Sequence, residues 1–166
     1  MGKESYKWTY CSLGNAVRVN VTSGEDIAHL GELDQKMWTV LSCPTKGLEF
    51  DHRTLELLDT DKDGKIRVPE VVAAAQWLTS VIRDRDSILA GADTLALSNI
   101  DDSNAEGARL LSSARQILAN LKLDKQEISV NEALDSTAIF AGSAFNGDGV
   151  ITALSTDDES LKSLIA

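Results

Sequence analysis

Basic side chains are scarce in this sequence. The 166 residues hold 16 Lys and Arg against 26 Asp and Glu, for a formal net charge of −10. That balance argues against a nucleic-acid binder, which needs clustered cations for the phosphate backbone. It argues equally against docking on an anionic membrane surface. Cysteine is nearly absent: Cys11 and Cys43 stand far apart and form no Cys-x-x-Cys pair. A disulfide framework and a zinc site are thereby excluded; a single bridge between the two has no support in the sequence, and two reduced thiols in a cytoplasmic protein are expected. There is no long apolar run to span a bilayer. The opening MGKESYKWTYCSLG has no apolar core of a signal peptide, and Tyr6 stands where myristoylation wants Ser or Thr. Asn20-Val21-Thr22 matches a glycosylation acceptor, which is void without secretion. Methionine is limited to Met1 and Met37, too few for the Met-rich groove of a promiscuous calcium adaptor.

Catalytic signatures are missing too. No G-x-S-x-G, phosphate-binding loop or H-E-x-x-H occurs. His29 lies beside Glu25 and Glu32, and His52 has no Cys or Ser partner in a motif. Trp8, Trp38 and Trp77 read as core anchors rather than a ligand cage. No enzyme activity is expected.

What is present suits a folded chain: 43% hydrophobic and 25% charged residues. The acidity is uneven, net −2 over residues 1–83 and net −8 over 84–166. Residues 15–22, NAVRVNVT, alternate like a strand. Ser23 caps a helix whose apolar residues Ile27, Leu30, Leu33, Met37, Val40 and Leu41 keep helical spacing up to Pro44. GLEF at 47–50 reads as a short extended piece, and Asp51 as the cap of a helix over 52–58. EVVAAAQWLTSVI, 70–82, and AEGARLLSSARQILANL, 105–121, read as helices. Residues 84–103 show little period and read as a connector between a half at 1–83 and a half at 104–166.

The informative stretch is DTDKDGKIRVPE, residues 59–70. Calcium wants about six to eight hard oxygens at about 2.3–2.6 Å. A twelve-residue loop supplies them with carboxylates at positions 1, 3 and 5, here Asp59, Asp61 and Asp63. Gly64 at position 6 makes the sharp turn. The Lys65 carbonyl serves position 7, Ile66 fills the strand position, and Glu70 closes the loop at position 12. The pattern D-x-D-x-D-G-x₅-E is complete. At these positions the chain resembles the EF-hand calcium-binding superfamily. That resemblance implies a mainly α fold of helix–loop–helix pairs joined by very short two-stranded β pairings. It also implies Ca²⁺ as cofactor, with Mg²⁺ as a competitor. The cations Lys62, Lys65 and Arg67 lower the local charge, so an affinity of about 10⁻⁶ to 10⁻⁴ M is expected.

A second loop, AFNGDGVITALS at 144–155, keeps Asn146 and Asp148 at positions 3 and 5 as weak candidate ligands. Ala144 and Ser155 replace the anchoring carboxylates. Ile66 is expected to pair with residues 48–50, and Ile151 with 127–129. LSCPTKGLEFDHRTLELLDTDKDGKIRVPEV, GARLLSSARQILANL and FNGDGVI also resemble the opening segment of long bacterial EF-hand proteins. The chain stops inside a helix-like STDDESLKSLIA, as a piece of a longer protein would. Its expected partners are further domains of that protein or another protein. The expected role is calcium binding with modest sensing or structural consequences. The alternative is an interaction scaffold whose ion is only structural.

Overall fold

The computed structural model describes residues 6–135 together with Thr137 and Ile139. Loop 144–155, with Asn146 and Asp148, lies outside the described residues. The chain divides between Gly91 and Ala92 into two units.

The first unit opens with a hairpin, β1 (Tyr10–Leu13) and β2 (Ala16–Val19), antiparallel with Tyr10 opposite Val19. Gly14, at φ 61°, makes the turn between them. A single strand was legible at 15–22; its partner was not. Helix α1 spans only Gly24–Ala28. The helical spacing that continues to Leu41 is not one helix. Short 3₁₀ turns at Leu30–Glu32 and Gln35–Met37 replace it, and Asp34 caps the second by accepting from Lys36 N. Gly31 and Asp34 weaken helix continuation here. The chain then enters β3 (Ser42–Pro44), antiparallel to β4 (Lys65–Arg67), with Cys43 opposite Ile66. The expected partner of Ile66, residues 48–50, is not a strand, so that pairing is corrected. Between them, α2 (His52–Leu58) starts at Asp51, whose Oδ2 accepts from Thr54 N and Oγ1 at 2.8 Å each. Helix α3 (Val68–Val81) follows β4 directly, with Pro69 in its first turn. Ile27, Leu55, Ile66, Ala75, Val81 and Ile82 are buried.

One carboxylate organises the start of α1. Asp26 is 4% exposed and accepts from Thr22 N (2.8 Å), Ser23 N (2.9 Å) and the Tyr6 hydroxyl (2.8 Å). Tyr6 in turn stacks on His29 at 4.0 Å. The turn at Arg85–Ala90 is tied back by Gly24 N donating to Asp86 Oδ1 and by the Arg85–Glu25 ion pair, both at 2.7 Å. A Cβ on Gly24 would collide with the Arg85 backbone.

In the second unit, β5 (Thr94–Ala96) pairs antiparallel with β6 (Glu127–Ser129), Leu95 opposite Ile128. Residues 84–103 therefore carry regular structure rather than only a link. The pairing expected between Ile151 and 127–129 lies outside the described residues; among them, the strand that pairs with β6 is β5. Helix α4 (Ala105–Asn120) is capped by Asn104, and α5 (Val130–Leu134) leaves β6. Leu97, Ile100, Leu111, Ala114, Leu118 and Ile128 form the core. Among the described residues the architecture mixes helices with three two-stranded antiparallel sheets, and is less purely α than expected. No helix among the described residues is long and apolar enough to cross a membrane.

Burial alone would raise the pKa of Asp26. The Thr22 N–H, the Tyr6 and Ser23 hydroxyls and the Ser23 N–H outweigh it and hold the group at about 2, below its ordinary 3.8. Its contribution is therefore present above pH 3.8 and lost as the pH falls toward 2. Asp26→Ala should lower unfolding free energy by about 2 kcal/mol at neutral pH. The variant should also show a flatter dependence of melting temperature on pH across that acid window, measured by circular dichroism.

Candidate metal site

The loop begins where α2 stops. Asp59 caps that helix with its N–H on Leu55 O at 3.1 Å, and it is 8% exposed. Two residues then take positive φ, Lys62 at 58° and Gly64 at 82°. These turns bring main-chain N–H groups onto the aspartates. Asp59 Oδ1 accepts from Asp63 N (3.1 Å) and Oδ2 from Gly64 N (2.9 Å). Asp61 Oδ1 accepts from Asp63 N at 3.2 Å, and Asp63 Oδ1 from Lys65 N at 3.0 Å. Short acidic side chains that bond the backbone two residues on are favoured in such turns. Thr45, next after β3, fastens the loop by donating its N–H and hydroxyl to Gly64 O at 3.1 and 3.3 Å.

Asp59, Asp61 and Asp63 thereby each offer one carboxylate oxygen, and the three lie within 4.8 Å of one another. A calcium ion about 2.4 Å from each oxygen can bridge such separations, and the donors are the hard oxygens it prefers. The residues present therefore fit the ion. Lys65 opens β4 beside them. Glu70 is not brought into the triad. Its Oε1 accepts from Thr60 N (2.8 Å) and Thr60 Oγ1 (3.1 Å), and its Oε2 accepts from Arg67 N (2.8 Å). The Arg67 N–H is the main cause that holds the Glu70 carboxyl below its usual range, with the Thr60 bonds adding to it. Arg67 reaches the triad instead: its guanidinium lies 2.5 Å from Asp63 Oδ2 and 3.7 Å from Asp61 Oδ2. That hydrogen bond lowers the Asp63 pKa and raises that of Arg67.

The second unit repeats the frame with different side chains. The order β3, α2, loop, β4, α3 recurs as β5, α4, loop, β6, α5. Where Thr45 N meets Gly64 O, Leu97 N meets Gln126 O at 2.8 Å. Where Arg67 N meets Glu70, Ser129 N meets Glu132 Oε2 at 2.8 Å. Aligned without a gap, Leu121, Leu123 and Lys125 stand in place of Asp59, Asp61 and Asp63. Lys125 Nζ lies 2.6 Å from Glu132 Oε1. An ammonium thus neutralises the closing glutamate of a loop that has no aspartate triad. This counterpart, 121–132, lacks the Asp-Gly pair that marks 144–155 in the sequence. The signal was IRVPE at 66–70 against ISVNE at 128–132.

Compared with protein-family models, characterised proteins and solved structures, the chain finds no match.

Two substitutions test the frame. Gly64→Ala should cost about 1 kcal/mol, because its φ is positive although there is room for the methyl. Glu132→Ala removes the acceptor of Ser129 N and should cost about 1 kcal/mol. Urea unfolding curves measure both.

Proposed function

We propose that this chain binds one calcium ion through loop 59–70, as an EF-hand-like module with a modest sensing or structural role. The reading is carried by the Asp59–Asp61–Asp63 group inside an unbroken D-x-D-x-D-G-x₅-E pattern. The ion would be held by those three carboxylates, the Lys65 carbonyl and Glu70. When bound, it neutralises the carboxylates and links the end of α2 to the start of α3. Mg²⁺ would compete with fewer protein oxygens and more water. Further domains of a longer chain, or another protein, would receive any signal.

The scaffold reading, in which the ion is only structural, draws on Glu70. Its two oxygens already bond Thr60 and Arg67 at the start of α3. An ion added to a helix end organised in this way would change little beyond the loop.

Calorimetric titration of chelator-treated protein with calcium tests both readings. One site with a dissociation constant of about 10⁻⁶ to 10⁻⁴ M is expected, and Asp59→Ala should abolish it. Trp77 lies on α3 and is half exposed, so its fluorescence reports that helix. A fluorescence change at saturation supports sensing, and an unchanged signal supports a structural ion. Absence of binding at millimolar calcium would overturn the metal reading.

A further inference from the structure

The triad has six carboxylate oxygens, and four of them are taken up by the loop's own main chain. Asp59 Oδ1 and Oδ2, Asp61 Oδ1 and Asp63 Oδ1 each accept an N–H. The two that receive no main-chain donor are Asp61 Oδ2 and Asp63 Oδ2. Both face the same guanidinium, that of Arg67, at 3.7 and 2.5 Å. An oxygen that accepts one N–H keeps a second lone pair for a cation, so Asp59 can still contribute, while Asp61 Oδ2 and Asp63 Oδ2 are the two with no main-chain donor to share. We infer that Arg67 sets the affinity of the loop, because its guanidinium and a divalent cation compete for Asp61 Oδ2 and Asp63 Oδ2. The inference rests on the calcium reading above.

The competition is intramolecular, so the arginine is always at hand and acts as a fixed handicap on the ion. Its backbone is a separate matter. The Arg67 N–H caps α3 through Glu70, and any residue but proline keeps that bond. The side chain can therefore be changed without removing the cap. A methionine retains much of the stem while removing the charge, and a lysine retains the charge without the planar fork that spans two carboxylates.

Calcium titrations of the wild-type chain, Arg67→Met and Arg67→Lys, each also in an Asp59→Ala background, test this. Arg67→Met should bind about tenfold more tightly than wild type, the scale of releasing exposed ion pairs with a carboxylate group. Arg67→Lys should fall between them, and Asp59→Ala should abolish binding throughout. Wild-type binding with equal or weaker affinity in Arg67→Met overturns the competition and leaves the calcium site standing. No binding in any form overturns both. A second readout needs no variant. The Arg67 Nε–Hε signal in a ¹⁵N spectrum should shift, and its proton exchange quicken, as calcium saturates the wild type. A signal unmoved at saturation would also overturn the competition.

Discussion

A carboxylate that receives the main-chain N–H three residues earlier recurs at three helix starts among the described residues. Asp26 takes Ser23 N, Glu70 takes Arg67 N and Glu132 takes Ser129 N, at 2.8 to 2.9 Å. At two of the three the need is set by the chain path. Helix α3 begins at the residue after β4, and α5 at the residue after β6. No linker lies between strand and helix, so donors at the junction lose their strand partners before helical acceptors exist. The acid supplies the acceptor, and its charge sits where the helix dipole favours it. Each acid also reaches a further group: the Tyr6 hydroxyl for Asp26, Thr60 for Glu70 and the Lys125 ammonium for Glu132. These second contacts tie the helix start to the segment before it.

That constraint divides the role of Glu70. A closing glutamate in a calcium loop is read from sequence as a ligand, and the spacing that makes it one also makes it a helix cap. The structure shows the cap. The same spacing at Glu132 shows that the cap does not depend on an aspartate triad, since Leu121, Leu123 and Lys125 precede it. The strand, the buried isoleucine and the capping acid thus form a frame. The two frames differ in the side chains at loop positions 1, 3 and 5.

Legibility followed the range of the interactions. Ser23, Asp51 and the helix over 105–120 were readable because caps and amphipathic periods act within a few residues. The Asp59 loop was readable because its geometry is made by its own main chain. Strands β3 and β5 were not, since three residues carry no period, and their partners lie 21 or more residues away. The apolar series from Ile27 to Leu41 misled for a related reason. Its spacing satisfies a helix, yet Gly31 and the Asp34 cap break it, and Ser42–Pro44 must run extended to meet β4. Loop 121–132 was hidden because its recognisable feature, Ile-x-Val-x-Glu, is structural and carries no ligand signature.

The two loops also differ in where each places its compensating cation, and the difference has a chemical consequence. Lys125 sits at the fifth loop position and meets the closing acid, so its single ammonium completes a local ion pair with Glu132. Arg67 sits at the ninth position, beyond the turn, and reaches back across Gly64 to two aspartates. Its fork can face two carboxylates at once, which a lysine's point charge does less well. Yet the pair is exposed, and exposed ion pairs contribute little stability. The cation in the second loop replaces the ligand chemistry at its position. The cation in the first loop leaves all three aspartates and the glycine turn in place.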